Sequence, residues 1–183
     1  PAATEIETQT VRWIAELIGF PAGDGLLVTG GNAANIVCFV AARAAAASWD
    51  VRTDGLTAGD AKPLVVYASK ETHTWIQKAA DLAGLGTNAI RWIDTDAAQR
   101  IDTIALRARI DEDVRAGDKP FMVIGTAGSV STGAIDPLPE IAVDRAAFAT
   151  GWQGFTRALL LQLSNPKIMV FFGSIFLSVL PQH

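Results

Sequence analysis

Short apolar runs alternate with longer amphipathic segments through the first 142 residues, and this alternation most constrains the fold. The apolar runs, which predict strands, are residues 25–29, 64–68, 89–93 and 121–125. Helical patterns occupy residues 4–18, 32–47, 72–83, 96–115 and 137–142. Because strands that alternate with helices form parallel sheets with both faces covered, the sequence predicts an α/β fold with a mostly parallel sheet flanked by helices.

The composition indicates a folded domain and argues against several function classes. Half of the 183 residues are hydrophobic and 19% are charged, which is typical of globular rather than disordered chains. A net charge of -4 with scattered Lys and Arg argues against nucleic-acid binding. The single cysteine, Cys38, lies in an apolar run and is expected to be buried, so neither a disulfide framework nor a cysteine-based metal site is expected.

The first residues carry no processing signal that we recognise. The chain opens at Pro1 without an initiator Met, and neither a basic segment nor an apolar leader follows. We therefore interpret the sequence as a fragment or truncated gene product, and we expect its enzyme-like part to be cytoplasmic, in a reducing compartment.

Ligands of such sheets bind in the loops that follow the carboxyl ends of the strands. That rule singles out residues 30–32, 69–73 and 126–131. Small residues at 29–35 would let backbone N–H groups approach a phosphate at a helix N-terminus, and Asn32 could cap that helix and donate a side-chain N–H. A plain helix cap is the alternative interpretation.

The other two loops carry polar side chains suited to a flat, polar ligand. The ring of His73 could stack on an aromatic cofactor, although an isolated histidine is more often a capping or surface residue. Hydroxyls and glycines at residues 125–136 suit a loop beneath a polar ligand, or simply a Ser/Thr-rich loop. The only other histidine is His183, which excludes a His-rich metal site and gives little support to a Ser-His-Asp triad.

Taken together, these segments resemble, in their order and in their residues, the pyridoxal-phosphate-dependent amino acid decarboxylases of the aromatic amino acid and glutamate decarboxylase group. The resemblance covers residues 1–141 and is carried by residues 4–7, 28–35, 42–43, 69–79 and 125–137. It implies part of the type I pyridoxal-phosphate-dependent transferase fold, a homodimer with sites at the dimer interface, pyridoxal 5′-phosphate as cofactor and a small amino acid as substrate. The cofactor would act as the electron sink for decarboxylation.

The resemblance also implies roles for individual residues. Gly31 and Asn32 match the family's phosphate-binding turn, in which Ser or Thr commonly replaces the asparagine. His73 matches the histidine that stacks on the pyridine ring, and Thr126 matches a threonine that lines the cofactor. Ser129, as a further cofactor-side residue, and Asp136 belong to the same motif with less defined roles.

Two family features are absent from the sequence. The family has a valine–aspartate motif under the pyridine nitrogen and, later, a His-Lys pair whose lysine forms the Schiff base. No histidine in this sequence is followed directly by a lysine. Asp144, in a superficially similar motif, comes too early and is interpreted as a solvated charge. We therefore predict no catalytic residue in this chain and expect it to be inactive by itself.

The character of the chain changes beyond residue 142, and residues 143–183 are predicted to form a separate hydrophobic, helical tail. Residues 151–181, with an Asn-Pro-Lys break at 165–167, resemble amino acid exporters of the lysine exporter and homoserine/threonine efflux type. The apolar run 168–180 is by itself shorter than the roughly 20 residues of a membrane span. Membrane contact through residues 155–180, at the inner membrane, is one expectation, and an amphiphilic C-terminal helix pair of a soluble enzyme is the other.

Three functional hypotheses follow: part of a decarboxylase that retains half of a cofactor site, a fragment of an efflux-type membrane protein, or a nonfunctional fusion of two reading frames. In the first, the incomplete sheet would end in an unprotected edge strand. The substrate stays open among aromatic amino acids, glutamate and other acids.

Overall fold

The computed structural model describes residues 2–18, 25–56, 58, 62–143, 158–163 and 175–176. The helices are α1 (Ala2–Ile18), α2 (Gly31–Ala46), α3 (Val51–Asp54), α4 (Trp75–Leu82), α5 (Thr103–Ala116) and α6 (Leu138–Val143). The strands are β1 (Leu64–Ser69), β2 (Ile90–Ile93), β3 (Lys119–Ala127), β4 (Ala158–Leu163) and β5 (Ile175–Phe176). A short 3-10 helix, Thr87–Ala89, leads into β2.

The described strands form one sheet in the order β2-β1-β3-β4-β5. β1 is parallel to β2 and β3, β3 is parallel to β4, and only β5 runs antiparallel to its neighbour. This confirms the predicted α/β class with a mostly parallel sheet flanked by helices.

All six residues of β1 are buried, because helices cover both faces of the sheet around it. Leu64, Val66 and Ala68 pack into a cluster with residues of α2 and α4. Val65 and Tyr67 pack on the opposite face with residues of α5 and with Ile141 of α6. Since each fully buried large apolar side chain stabilises a fold by roughly 1.5–3 kcal/mol, this strand contributes heavily to the core.

Aromatic rings join α2 and α4 to the sheet. Phe39 of α2 makes edge-to-face contacts with Trp75 of α4 and with Phe121 of β3, at ring-centroid distances of 6.4 and 5.3 Å. Phe121 is the extra residue of a bulge, because Val65 pairs with Pro120 and Val66 with Met122. Cys38 is buried beside this aromatic cluster, as its apolar surroundings predicted.

Capping residues decide where α5 begins and ends. The sequence predicted a helix over residues 96–115, but α5 starts at Thr103 because the Asp102 carboxylate accepts hydrogen bonds from the N–H groups of Ile104 and Ala105. The residues before it instead form a turn in which the Asp96 carboxylate accepts the Ala98 and Arg100 N–H groups. Gly117, with φ 89°, ends the helix in the left-handed conformation that glycine adopts at low cost.

The strand predicted at residues 25–29 is absent, which corrects the sequence interpretation. Leu26 and Leu27 are exposed, and the Leu27 N–H is bonded at 2.7 Å to the Glu7 carboxylate of α1. An extended segment becomes a strand only when a neighbouring strand takes up its backbone groups, and here a side chain does so instead.

Two strands lie within the tail for which helix was predicted. β4 pairs with the outer edge of β3 from Met122 to Ala127, so β3 is not the unprotected edge that the sequence suggested. An apolar extended run satisfies the open backbone groups of β3, which a helix would leave unpaired. The rest of the predicted helical tail, together with Asp144 and most of residues 155–180, lies outside the described residues. None of the helices in the described part of the chain combines the length and apolar character needed to cross a membrane.

A buried ionic cluster fastens α5 to the sheet. Asp113 is 2% exposed, and its carboxylate accepts hydrogen bonds from Tyr67 Oη at 2.9 Å, Arg91 Nε at 3.0 Å and Arg109 Nε at 3.2 Å. Arg91 also donates to Asp118 at 2.6 Å. Burial raises the pKa of Asp113, but the donors from Arg109, Tyr67 and Arg91 outweigh it and hold the pKa below its usual value.

Replacing Asp113 with Asn should destabilise the fold by about 1–3 kcal/mol at neutral pH, because Arg91 and Arg109 would lose charge-assisted hydrogen bonds to a buried carboxylate. The pKa of Asp113 is lower in the folded state than its ordinary value of 3.8. Its contribution is therefore complete above that value and is lost as the pH falls through the folded-state pKa. Urea unfolding at several pH values measures both effects.

The matched control is Glu112→Gln, since Glu112 is exposed and only reaches Arg109 at 3.5 Å. We expect that control to change stability by less than about 1 kcal/mol. A difference between the wild type and Asp113→Asn that does not shrink in acid would contradict the assigned role.

Candidate functional site

The loops that follow β1 and β3 lie side by side at one edge of the sheet. These strands are parallel neighbours, and their last paired residues are Ala68 and Ile124. His73 lies in the connection from β1 to α4, while Thr126 is near the end of β3 and Ser129 is in the loop beyond it. The structure thus brings three of the predicted site residues to the same carboxyl edge.

The N-terminus of α2 points to the same edge. Arg43, near the end of α2, donates from Nη1 to the carbonyl of Ala83 at the end of α4 at 2.6 Å, and Phe39 in mid-helix contacts Trp75 at the start of α4. The two helices therefore run in the same direction. Gly31 lies eight residues before Phe39, which places it about 12 Å further along the helix axis, on the carboxyl side of the sheet.

The start of α2 is shaped by glycine. Gly30 is the N-cap residue, with φ 86°, a conformation that L side chains rarely adopt. Asn32 is the second residue within the helix, so the prediction that its side chain caps α2 is wrong. Apart from its chain neighbours and the backbone of its own helix, no described atom lies within 4 Å of the point where a Cβ on Gly31 would project. The first backbone N–H groups of the helix are consequently open to an anion.

The ring of His73 is held at the start of α4. Its Nδ1 accepts a hydrogen bond from the Trp75 N–H at 3.2 Å, and the side chain is half-buried. The capping contact named as the alternative interpretation is therefore present. It leaves the ring faces and Nε2 available for another contact, so capping and stacking on a ligand are compatible.

Thr126 carries a buried hydroxyl that no described residue satisfies. The residue is 3% exposed, and Oγ1 has no hydrogen-bond partner in the part of the chain that the structure describes. Met122 and Ile124 face α2 and α4, so strand alternation directs Thr126 to that face as well. An unsatisfied buried hydroxyl costs roughly 1–3 kcal/mol, so this hydroxyl could hydrogen-bond to a ligand at this edge.

The hydroxyl of Ser129 makes hydrogen bonds within its own loop. Its Oγ lies 2.6 Å from Thr132 Oγ1 and accepts the Thr132 N–H at 3.3 Å. The Ser129 and Gly128 N–H groups both bond to the carbonyl of Ala134, which closes the loop on itself. Ser129 is thus placed at the site edge with its hydroxyl already engaged.

Asp136 lies behind this loop and is 5% exposed. Its Oδ1 accepts the Ile101 N–H and its Oδ2 accepts the Thr126 N–H, both at 2.7 Å. Burial raises the pKa of Asp136, although the two backbone donors act in the opposite direction. The motif residue without a defined role is therefore a backbone clamp.

Sequence reasoning did not single out Asn35 as a buried polar residue of α2. This side chain is 2% exposed and lies on the sheet-facing side of α2, one turn before Cys38 and Phe39. The signal was available, because a polar residue occupies a position in the helical spacing of the buried residues. The described residues contain no group of His, Cys, Asp and Glu suited to a metal ion.

Comparisons with known proteins agree on one family. Residues 1–145 match the family model described as "Pyridoxal-dependent decarboxylase conserved domain". The chain is 37% identical over 141 residues to the aromatic-L-amino-acid decarboxylase of Bacillus atrophaeus, which covers 76% of this chain and 27% of that protein.

Solved structures show the same relationship. The glutamate decarboxylase domain of diaminobutyrate-pyruvate transaminase and L-2,4-diaminobutyrate decarboxylase from Vibrio parahaemolyticus superposes with a TM-score of 0.73 at 32% identity, covering 82% of this chain and 33% of that one. Oryza sativa TDC with PLP and tryptamine gives a TM-score of 0.70 at 31% identity, covering 88% and 33%. The chain thus spans between a quarter and a third of the length of these relatives.

The contact at His73 predicts which ring nitrogen carries the proton. Because Nδ1 accepts the Trp75 N–H, the neutral ring should be protonated on Nε2. Two-bond proton–nitrogen correlation spectra in mildly alkaline buffer report this directly. A ring protonated on Nδ1 would contradict the geometry.

Proposed function

Because the chain belongs to the pyridoxal-dependent decarboxylase family, we propose that residues 1–142 are part of the cofactor-binding domain of an amino acid decarboxylase. The cofactor is pyridoxal 5′-phosphate, which when bound supplies the electron sink for loss of carbon dioxide from an amino acid. The observation that carries the proposal is the buried hydroxyl of Thr126, which no described residue satisfies, at the edge shared with His73 and the start of α2.

The N-terminus of α2 is the proposed phosphate site. Backbone N–H groups at Gly31 and Asn32 donate to phosphate oxygens, and the positive end of the helix dipole favours the negative charge. The lack of a side chain at Gly31 leaves room for that approach. The amide of Asn32 adds a further donor at the helix surface.

His73 and Thr126 are proposed to hold the aromatic part of the cofactor. The bond between Nδ1 and the Trp75 N–H limits rotation of the His73 ring, so that one face is presented for stacking. The Thr126 hydroxyl donates to a polar atom of the bound group, which removes the cost of its burial without a partner. Ser129 contributes by closing the loop beneath the cofactor.

This half-site supports binding without a covalent link. Residues 1–183 contain no His-Lys pair of the kind whose lysine forms the Schiff base in the family, so the proposed half-site includes no such lysine. We propose that this chain does not by itself decarboxylate amino acids. The homodimer and the amino acid substrate are proposed for the longer family protein. A cytoplasmic location is proposed for residues 1–142.

A separate origin is proposed for the chain beyond about residue 150. The match to the family model stops at residue 145, and the Asn-Pro-Lys break at residues 165–167 resembles an amino acid exporter. The alternatives are a membrane-attached fusion and a nonfunctional joining of two reading frames.

A continuous long DNA read across the codons for residues 136–151 tests the join. We expect a change of reading frame or gene there. If the chain proves continuous, we expect the protein to remain in the membrane fraction after carbonate extraction. A continuous chain recovered wholly in the soluble fraction would contradict the transporter-like assignment of the tail.

Titration with pyridoxal 5′-phosphate tests the main proposal. The full chain should give a saturable absorbance change and induced circular dichroism. His73→Ala should weaken binding by about ten-fold through loss of ring stacking, and Thr126→Val by about five-fold through loss of one hydrogen bond.

Thr74→Ala is the matched control for these variants. Thr74 is exposed, adjacent to His73, and makes no capping hydrogen bond with its side chain. Its affinity should equal that of the wild type. An absence of saturable binding by the folded wild-type chain would refute the proposal.

A further inference from the structure

The carboxylate of Asp136 spans the carboxyl end of β1. In the sheet order β2-β1-β3, Ile101 follows β2 in the chain and Thr126 belongs to β3. Asp136 accepts one N–H from each of these residues at 2.7 Å. A single buried side chain therefore joins the segments on either side of β1, at the edge where the proposed cofactor site lies.

On the side that faces β1, Thr126 is held by this clamp, because β1 no longer reaches it. The last registered pair between β1 and β3 is Ala68 with Ile124, two residues earlier. The N–H of Thr126 goes to the Asp136 carboxylate, and its carbonyl accepts the Asp136 N–H at 2.8 Å. Asp136 thus takes the place of a β1 partner. Together with the pairing of Thr126 to Gln162 of β4, it holds the backbone of Thr126 in an extended conformation.

A fixed backbone also fixes the direction of the Thr126 hydroxyl. Threonine is branched at Cβ, so its χ1 angle is restricted once the backbone conformation is set. The side chain lies on the α2 and α4 face, and its buried hydroxyl has no hydrogen-bond partner among the described residues. Movement of the backbone at Thr126 would therefore move a buried donor that the proposed site presents.

Asp136 acts through Thr126 rather than by touching a ligand. Each of its two carboxylate oxygens is already occupied by a backbone N–H, and the side chain is 5% exposed. An asparagine would offer only one acceptor, and its NH2 group would face the remaining N–H. The position therefore requires a carboxylate.

We propose that Asp136 is a positioning residue of the cofactor site, which holds the end of β3 so that the Thr126 hydroxyl meets bound pyridoxal 5′-phosphate. This inference rests on the proposed function and deepens it. It assigns a role to the motif residue whose purpose the sequence left undefined.

A double-mutant cycle on the full chain tests the inference, with pyridoxal 5′-phosphate as the probe and induced circular dichroism as the readout. Thr126→Val and Asp136→Asn should each weaken binding by about five-fold, the effect of one hydrogen bond. The double variant should bind no more weakly than Thr126→Val alone, because Asp136 acts only through that hydroxyl.

The control is Asp94→Asn, which removes an exposed carboxylate that pairs with Lys70 at the same edge. It should leave the affinity unchanged. Hydrogen exchange on the wild-type chain adds a test that does not depend on the variants folding. The Thr126 amide should be strongly protected, and free exchange there would overturn the clamp.

The outcomes separate this inference from the proposed function. If the wild type binds and the two losses multiply in the double variant, Asp136 has only a general structural role and the inference fails alone. If the folded wild type does not bind pyridoxal 5′-phosphate, the proposed function fails and takes the inference with it.

Discussion

The burial of β1 is the constraint on which the rest of the structure depends. A parallel strand with apolar residues on both faces is stable only when helices cover both sides of the sheet. Here α2 and α4 cover one face, while α5 and α6 cover the other. Because β1 lies between β2 and β3, it also decides which loops meet at the carboxyl edge.

Two buried polar groups on this scaffold show how structural and ligand-binding roles can be told apart. The Asp113 carboxylate is matched by donors from Tyr67, Arg91 and Arg109, so its burial is compensated within the fold. The Thr126 hydroxyl has no such partner among the described residues. Since native folds satisfy nearly all buried polar groups, the first belongs to the architecture, and the second is the group for which we propose a ligand.

Periodicity predicted the elements well where packing and local pattern agree. The strand predicted at residues 64–68 is β1, and the buried Cys38 and the helix α2 were also anticipated. The prediction failed where a side chain replaced a backbone partner, as Asp102 does at the start of α5 and Glu7 does at Leu27. It also failed at β4, because periodicity alone does not tell whether a short apolar run forms a strand or a helix, and pairing with β3 decides it here.

The sequence by itself determined the α/β class, the three loops that carry polar residues, and the resemblance to the decarboxylase family. These depend on local spacing and on the order of motifs along the chain. Only the tertiary structure showed that α2 starts on the same side of the sheet as α4. It also showed that Asp136 joins Thr126 to Ile101, which lies 35 positions before Asp136 in the sequence. Strand register and helix packing bring such groups together, and neither is encoded in the periodicity of a single segment.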